Sequence, residues 1–265
     1  MHFYSLNYNF FIYLFCDCKI LIMKAKHLLV SGLIILSVVF LGLQLMKHEM
    51  YASGIRVVLM ILLIILYTLQ VKPRNIYFVL FLTFFSLAQL IDFLAYFNRL
   101  GQSKNIDYIY FIGNGLNILS YTFLILKVLK SMNIREVITK FPAYIVILVV
   151  LDIFCVTIVT DTARGLSIYE YSLEFLYNAV IMSLLTLVVI NYIHKVDKKA
   201  MNLLIGSIFI VFSETIQLAY FYVLEINALN VLCSLFLVIA FLFLYIQATL
   251  VETDGFDTFK EHLEA

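Results

Sequence analysis

The sequence has little charge, few prolines and no tryptophan. Only 13% of its 265 residues are charged and 64% are hydrophobic, and its mean hydropathy is +1.02. This composition excludes an ordinary soluble domain and is typical of an integral membrane protein. Because no basic cluster with interleaved aromatic residues lies outside the hydrophobic runs, we expect no nucleic-acid partner.

Cysteine, histidine and proline are too scattered to form recognisable sites. The four cysteines lack the spacing of a disulfide framework or a zinc finger. All five histidines lie outside the hydrophobic runs, so we expect no intramembrane metal site and no cofactor. The motifs G-x-S-x-G, H-E-x-x-H and the P-loop are absent. Pro73 and Pro142 lie where hydrophobic runs begin, so neither proline interrupts a span. Many transporters instead have interrupted helices at a binding site in the middle of the membrane.

Hydrophobic runs long enough to cross a membrane, which takes about 20 residues, occur eight times in the sequence. The predicted spans are 28–46, 54–71, 76–98, 106–129, 141–160, 171–193, 200–222 and 227–250. We therefore predict an all-α fold, a polytopic membrane bundle of eight transmembrane helices occupying residues 23–251.

The two ends of the chain differ from this domain. Residues 1–22 lack the basic segment and the cleavage site of a signal peptide, whereas Met23 is followed by two lysines and then by an apolar run. We expect Met23 to be the true start and residues 1–22 to be a non-native or disordered extension. The alternative is a short interfacial helix. Residues 252–265 are predicted to form a short acidic tail.

Lysine and arginine are distributed unequally between the two sides of the predicted spans. From Met23 onward, twelve lie on the side of the termini and five on the other side. The positive-inside rule therefore predicts that both termini are cytoplasmic. We expect the protein to lie in a cell membrane, most simply the cytoplasmic membrane of a bacterium. The sequence does not indicate an oligomeric state.

Two carboxylates, Asp92 and Glu214, lie at a similar depth inside predicted spans. Each is about 21 to 24 Å from the start of its span on the side of the termini. A charged side chain in a spanning helix costs roughly 2.5 to 3.5 kcal/mol on insertion scales. We expect no other carboxylate, and no lysine or arginine, at their level. The two are therefore predicted to face one pocket, where such a pair could carry out acid–base catalysis.

Other polar side chains occur at a comparable level in four spans. Helical spacing places them on the same faces as the two carboxylates or on facing spans. The candidate ligand-binding residues are Gln89, Tyr96, Asn114, Asn117, Tyr121, Tyr177, Asn178, Ser213 and Gln217. Taken singly, each is better explained as a hydrogen bond between helices, which contributes about 0.6 to 2 kcal/mol. Asp152, in the fifth span, is predicted to be structural or to line the pocket.

The stretch 206–219 reads G-S-I-F-I-V-F-S-E-T-I-Q-L-A. It resembles the seventh-helix motif of the lysoplasmalogenase-like (YhhN) membrane proteins, in which a Gly-Ala pair is followed by Phe and then by Ser-Asp before Leu-Ala. Tyr177, Ile181 and Met182 are similar to the Tyr, Ile and Met pattern of that family's sixth helix. Eight spans with both termini inside also match the family.

The chain departs from the family pattern at three points. The family's aspartate in the seventh helix is Glu214 here. Its Gly-Asp pair in the third helix falls on Ala88 and Gln89, which leaves the carboxylate one turn later, at Asp92. The histidine expected in the fourth helix has no counterpart, since Ser120 and Tyr121 occupy that region.

The resemblance implies cleavage of the vinyl ether bond of lysoplasmalogens, which are membrane lyso-phospholipids. One carboxyl group would protonate the vinyl carbon and the other would activate water, as in a glycosidase pair. Asp92 and Glu214 would share these roles, in an order that the sequence leaves open. Two alternatives use the same polar pocket: a non-catalytic membrane sensor or assembly protein, and a transporter of protons or small solutes.

Overall fold

The computed structural model describes residues 26–98, 108–163 and 165–250, and every regular element within these ranges is helical. The helices are α1 (Lys26–Leu45), α2 (Glu49–Gln70), α3 (Ile76–Asn98), α4 (Tyr108–Ser131), α5 (Ile134–Lys140), α6 (Pro142–Asp161), α7 (Ile168–Lys195), α8 (Lys198–Tyr222) and α9 (Asn227–Thr249). The predicted extension 1–22 and acidic tail 252–265 lie outside the described residues.

Within the described ranges, eight helices are long and apolar enough to cross a membrane, and α5 is the exception. This confirms the predicted all-α, multi-pass architecture. Successive spanning helices run in opposite directions, so the connections between them lie at two opposite ends of the bundle. We call the end where α2 begins and α8 finishes the Glu49 end. The opposite end, where α7 finishes and α8 begins, is the Lys195 end.

Two helices begin three or more residues earlier than predicted. The start of α2 is Glu49 rather than residue 54, and the start of α7 is Ile168 rather than residue 171. The start of α7 is set by a capping box, in which Ser167 accepts a hydrogen bond from the Glu170 amide and Glu170 accepts one from the Ser167 amide. Polar residues near both starts therefore lie deeper in the bundle than predicted.

The short helix α5 was not predicted, because its seven residues lie between two spans and are too few to give a clear hydrophobic period. Its Glu136 and Lys140 are four residues apart and form a side-chain ion pair at 2.5 Å. The helix ends before Pro142, which occupies the first turn of α6. This confirms the predicted position of that proline at a helix start.

Six helices of the described chain form a closed ring, in which each packs on the next in the order α2, α3, α4, α7, α8 and α9, and α9 returns to α2. Helix α6 packs outside the ring on α7. Helix α1 also packs outside it, where Phe40 lies in a cluster with Ala52 and Leu59 of α2. The central core is built by the six ring helices.

Aromatic side chains fill the middle of the ring. Phe81 stacks on Phe241 with ring centroids 5.9 Å apart, and Phe85 lies 4.8 Å from the same ring. Helices α8 and α9 pack closely at Gly206, where a Cβ atom would lie 3.2 Å from the Ala240 carbonyl oxygen. This packed apolar layer separates the polar groups at the Glu49 end from those at the Lys195 end.

Candidate functional site

Glu214 is held by tyrosines from two other helices. The Tyr121 hydroxyl of α4 donates a hydrogen bond to Glu214 Oε1, and the Tyr177 hydroxyl of α7 donates one to Oε2 at 2.7 Å. Both tyrosines are buried, with exposures of 0% and 7%. The structure thus brings together three of the predicted site residues. Both carboxyl oxygens have neutral donors, which removes much of the cost of placing a carboxyl group among apolar helices.

Asp92 forms an ion pair with Arg56, and the distance between Arg56 Nη2 and Asp92 Oδ2 is 3.9 Å. The expectation that no lysine or arginine lies at this depth was therefore wrong. The reason is the early start of α2 at Glu49, which places Arg56 about 10 Å inside the helix. Asp92 lies about 9 Å from the end of α3, at the same level.

Helix α4 packs closely against the Asp92 carboxylate. A Cβ atom built on Gly113 would lie 3.1 Å from Asp92 Oδ1, so glycine leaves room for the carboxylate at this position. That Asp92 and Glu214 open into one pocket remains a prediction.

Several buried polar atoms near these residues have no hydrogen-bond partner within the described part of the chain. They are Ser53 Oγ and Arg56 Nε in α2, Gln89 Oε1 in α3 and Asn117 Oδ1 in α4. Ser53 precedes Arg56 by three residues and Gln89 precedes Asp92 by three, so each pair shares a helix face. Leaving such an atom unpaired costs about 1 to 3 kcal/mol. A polar ligand that reached this level would find unused donors and acceptors.

An apolar groove runs beside Asp92 between α3 and α4. It has a volume of about 360 Å³ and is lined by Ile91, Leu94, Phe97 and Ile109. Ile91 is the chain neighbour of Asp92 and is also within van der Waals distance of a Cβ on Gly113. The groove therefore borders the polar level of the site with hydrocarbon side chains.

Three predicted ligand-binding residues instead tie neighbouring helices together. Asn178 Nδ2 donates to Thr160 Oγ1 of α6 at 3.1 Å. Ser213 Oγ donates to the Cys233 carbonyl oxygen of α9 at 3.0 Å, and Gln217 Oε1 lies 4.0 Å from Cys233 Sγ. These contacts join α7 to α6 and α8 to α9, and they match the packing role considered for single polar residues.

The remaining predicted residues lie at the margins of the cluster. Tyr96 is half-buried near the end of α3 and lies within electrostatic range of Tyr220. Asn114 is half-buried on α4, beside Gly113. Asp152 accepts a hydrogen bond from Thr186 at 2.9 Å, which joins α6 to α7, in agreement with the structural role expected for it.

Sequence reasoning missed two further carboxylates at the Glu49 end. Glu174 is 7% exposed, and its Oε1 accepts a hydrogen bond from the Tyr110 hydroxyl at 2.5 Å. Glu49 accepts one from the Tyr220 hydroxyl at 2.9 Å. The expectation that only Asp92 and Glu214 lie at this level was therefore wrong. The early start of α7 places Glu174 about 9 Å inside the helix. The polar stripe that Glu174 forms with Tyr177 was the feature of the sequence that could have indicated this position.

Histidine, cysteine, aspartate and glutamate do not form a group of three or more suited to a metal ion among the described residues. Comparisons with known protein families, with curated proteins and with solved structures found no match to this chain.

Proposed function

We propose that this integral membrane protein hydrolyses the vinyl ether bond of lysoplasmalogen-type lipids. The observation that carries the proposal is the half-buried Glu214 carboxyl group, which is held on both oxygens by Tyr121 and Tyr177. The resemblance of the stretch 206–219 to the lysoplasmalogenase-like motif supplies the substrate class.

The geometry supports different roles for the two carboxylates. Glu214 is oriented by hydroxyl groups from two helices, which suits an acid that must deliver a proton to one carbon atom. Asp92 is paired with Arg56 and 39% of its side chain is exposed, so there is room beside it for a water molecule. We therefore assign Glu214 as the general acid and Asp92 as the general base.

The proposed reaction consumes one water molecule. Glu214 protonates the vinyl carbon remote from the ether oxygen, which leaves a cation shared by the other vinyl carbon and that oxygen. Water adds to this carbon and gives a proton to Asp92. The bond between this carbon and the ether oxygen then breaks: Asp92 returns its proton to the ether oxygen and the hemiacetal hydroxyl returns one to Glu214. The products are a fatty aldehyde and the glycerophospho headgroup.

The groove between α3 and α4 supports a lipid as the substrate. Its lining of Ile91, Leu94, Phe97 and Ile109 suits a hydrocarbon chain, and Ile91 is the chain neighbour of Asp92. The unpaired polar atoms of Gln89 and Asn117 could bind the glycerol hydroxyl. A substrate with an apolar chain and a polar head next to its reactive bond would use both features.

The direct test is release of fatty aldehyde from a lysoplasmalogen by the purified full-length protein in detergent. We expect Glu214→Gln and Asp92→Asn each to lower kcat/KM by 100-fold or more, the usual range for a lost acid or base. Asp152→Asn is the matched control, since Asp152 is another carboxylate within a span, and it should keep near-normal activity. Gel filtration and Tm establish that each variant is folded. Folded parent protein without turnover would overturn the proposal.

Isotopes test the bond that breaks. In water labelled with oxygen-18 the headgroup product should contain no label, because cleavage occurs on the vinyl side of the ether oxygen. In deuterium oxide the aldehyde should carry deuterium on the carbon next to its carbonyl group. Label in the headgroup product would show that another bond is cleaved and would contradict the assignment of Glu214 as the acid.

Proton transport is a second candidate, and the ion pair of Arg56 with Asp92 within the spans favours it. Ionisable residues within spans are typical of proton relays. This alternative predicts a pH-dependent flux through protein reconstituted in liposomes that Glu214→Gln abolishes. Flux without aldehyde release would favour the transporter over the hydrolase.

A further inference from the structure

Arg56 is a cation within the candidate site that has an unused hydrogen-bond donor. It lies about 10 Å inside α2. Its Nη2 is 3.9 Å from Asp92 Oδ2, which is close enough for an ion pair and too long for a hydrogen bond. Its Nε is buried and has no acceptor among the described residues. The reaction proposed above gives Arg56 no role beyond balancing the charge of Asp92.

One guanidinium group can bind two anions at once. It is planar and carries five N–H donors in a fixed arrangement that suits carboxylate and phosphate oxygens. Nη2 of Arg56 lies next to Asp92, whereas Nε meets no acceptor in the described part of the chain. The pair of Arg56 and Asp92 is neutral overall, so it is the unused donor, and not an excess of charge, that favours a further ligand.

A second unused hydroxyl lies beside Arg56 on the same helix. Ser53 precedes Arg56 by three residues, so both side chains lie on one face of α2. Ser53 is 3% exposed, and within the described ranges its Oγ has no hydrogen-bond partner. A hydroxyl inside a helix commonly donates to the carbonyl oxygen one turn earlier, as those of Thr83 and Thr122 do. The Ser53 hydroxyl makes no such bond and is free for a ligand.

The position of these donors matches the headgroup of the proposed substrate. Asp92 lies between α4 and α2, since its Oδ1 would be 3.1 Å from a Cβ on Gly113 and its Oδ2 faces Arg56. A lipid whose chain follows the groove between α3 and α4 would therefore carry its headgroup past Asp92 toward α2. In a lysoplasmalogen only the glycerol carbons separate the phosphate from the ether oxygen, which Asp92 is proposed to protonate.

The Arg56 side chain can be reached by such a ligand. It is 17% exposed, and the adjacent Asp92 side chain is 39% exposed. Side chains at binding interfaces commonly change rotamer when a ligand binds, while the backbone moves little. We expect a rotation of the Arg56 side chain to present its Nε to the ligand without movement of α2.

We propose that Arg56 and Ser53 bind the phosphate group of the lyso-phospholipid substrate. This inference rests on the hydrolase function proposed above and adds the contact that selects the substrate. Arg56 Nε and the Ser53 hydroxyl donate to phosphate oxygens while Arg56 Nη2 stays beside Asp92. Hydrogen bonds between a guanidinium and a phosphate are among the strong ones in proteins. An alkenylglycerol, which has the same vinyl ether bond and no phosphate, should therefore bind weakly.

The test measures binding of two lipids that cannot be cleaved to the full-length protein in neutral detergent. The probe is hexadecyl glycerophosphoethanolamine, a saturated ether lipid with a phosphate. The reference is hexadecylglycerol, which has the same ether-linked chain and no phosphate. Titration followed by native mass spectrometry gives both affinities, and the rise in Tm caused by a ligand of the folded state checks them. We expect the parent protein to prefer the probe by about ten-fold or more, the usual effect of a hydrogen bond to a charged group.

Variants of the two donors locate the contact. Arg56→Gln should weaken binding of the probe by about ten-fold and Ser53→Ala by about three-fold, because each removes a donor to the phosphate. Their affinity for the reference should stay close to that of the parent. The matched controls are Arg135→Gln, on the exposed surface of α5, and Ser183→Ala, at an exposed position of α7. Both controls should leave the two affinities unchanged.

Arg56→Lys serves if Arg56→Gln is not folded. Lysine keeps a cation beside Asp92 but cannot place donors on two anions in the geometry of a guanidinium. We expect this variant to weaken binding of the probe by about three-fold and to leave binding of the reference unchanged.

Each outcome decides a point. Equal affinity of the parent protein for probe and reference overturns the proposal. So does an Arg56 variant that keeps the full preference for phosphate, or one that weakens both lipids equally, as a purely structural residue would. A preference for phosphate without aldehyde release from a lysoplasmalogen would keep the phosphate contact and overturn the hydrolase. Aldehyde release without that preference would keep the hydrolase and overturn the contact.

Discussion

The two ends of the bundle stabilise buried charge in opposite ways. At the Glu49 end the carboxylates of the half-buried Glu214 and the buried Glu174 accept hydrogen bonds from tyrosine hydroxyls. At the Lys195 end a buried lysine, Lys127, donates to an amide oxygen and lies over an aromatic ring. The first end surrounds acids with neutral donors, and the second gives a buried cation neutral acceptors.

This difference shows how an apolar bundle holds charge where opposite charge is scarce. A tyrosine hydroxyl can satisfy a carboxyl oxygen without adding a second buried charge, and its ring packs against neighbouring apolar side chains. Lysine needs an acceptor instead, such as an amide or hydroxyl oxygen or the face of an aromatic ring. Each end therefore uses the kind of partner that its charge requires. Substitutions should reveal how much each arrangement contributes to the stability of the fold.

The largest effect on stability is expected from Glu214→Leu. It removes the acceptor of two buried tyrosine hydroxyls, and each unpaired group costs about 1 to 3 kcal/mol. We expect a loss of about 2 to 5 kcal/mol, measured as a lower Tm in detergent. Adding Tyr121→Phe and Tyr177→Phe should recover much of this loss. A triple variant no more stable than Glu214→Leu would show that the unpaired tyrosine hydroxyls do not cause the loss of stability.

Arg56→Leu should have the next largest effect, because it leaves the Asp92 carboxylate without its cation. Breaking a fully buried pair costs about 3 to 5 kcal/mol. Asp92 is 39% exposed, so solvent should reduce the loss to about 1 to 3 kcal/mol. The double variant Arg56→Leu with Asp92→Leu should be more stable than Arg56→Leu alone. Equal stability of the two variants would show that the ion pair contributes nothing.

At the opposite end, Lys127→Met should cost less than Glu214→Leu. The change removes one hydrogen bond and one cation–π contact but also removes a buried charge, so we expect a loss of about 1 to 2 kcal/mol. Thermal unfolding in detergent measures it. A loss larger than that of Glu214→Leu would reverse the comparison between the two ends and make Lys127 the more important structural charge.

The smallest effect is a pH dependence at the surface of the Lys195 end. The hydrogen bond from Lys140 lowers the pKa of the Glu136 carboxyl group below its usual range. Because the pKa is lowered in the folded chain, the ionised carboxylate stabilises the folded state at neutral pH. This stabilisation is lost when the pH falls below about 4 and passes through the lowered pKa. Glu136→Gln should therefore lower Tm slightly at pH 7 and not at pH 3. A difference that grows toward pH 3 would contradict this sign.

The eight spans could be predicted because hydropathy over about 20 residues depends little on context. The depth of single residues could not be predicted as well. The capping box at Ser167 and the start of α2 at Glu49 each shift a helix start by about one turn. That shift is enough to bring Arg56 and Glu174 to the level of the buried carboxylates, where neither was expected.

The partners of Glu214 could be proposed from the sequence only as a set of polar residues at similar depth. Tyr121 and Glu214 are 93 residues apart, and their contact depends on the order of helices in the ring. Nothing in the local sequence specifies that α4 packs against α7 and α7 against α8. For the same reason Asn178 was expected to face Glu214, whereas it faces Thr160 of α6.

The order of the cluster along the chain has a consequence for membrane insertion. Tyr121 and Tyr177 precede Glu214, so both hydroxyl donors are synthesised before their acceptor. Arg56 likewise precedes Asp92. During synthesis from the N-terminus, Glu214 and Asp92 thus reach the bilayer after the groups that stabilise them. The insertion of α8 is thereby coupled to the earlier arrival of α4 and α7, and truncation before α8 would leave two tyrosine hydroxyls in the membrane without the carboxylate they bind.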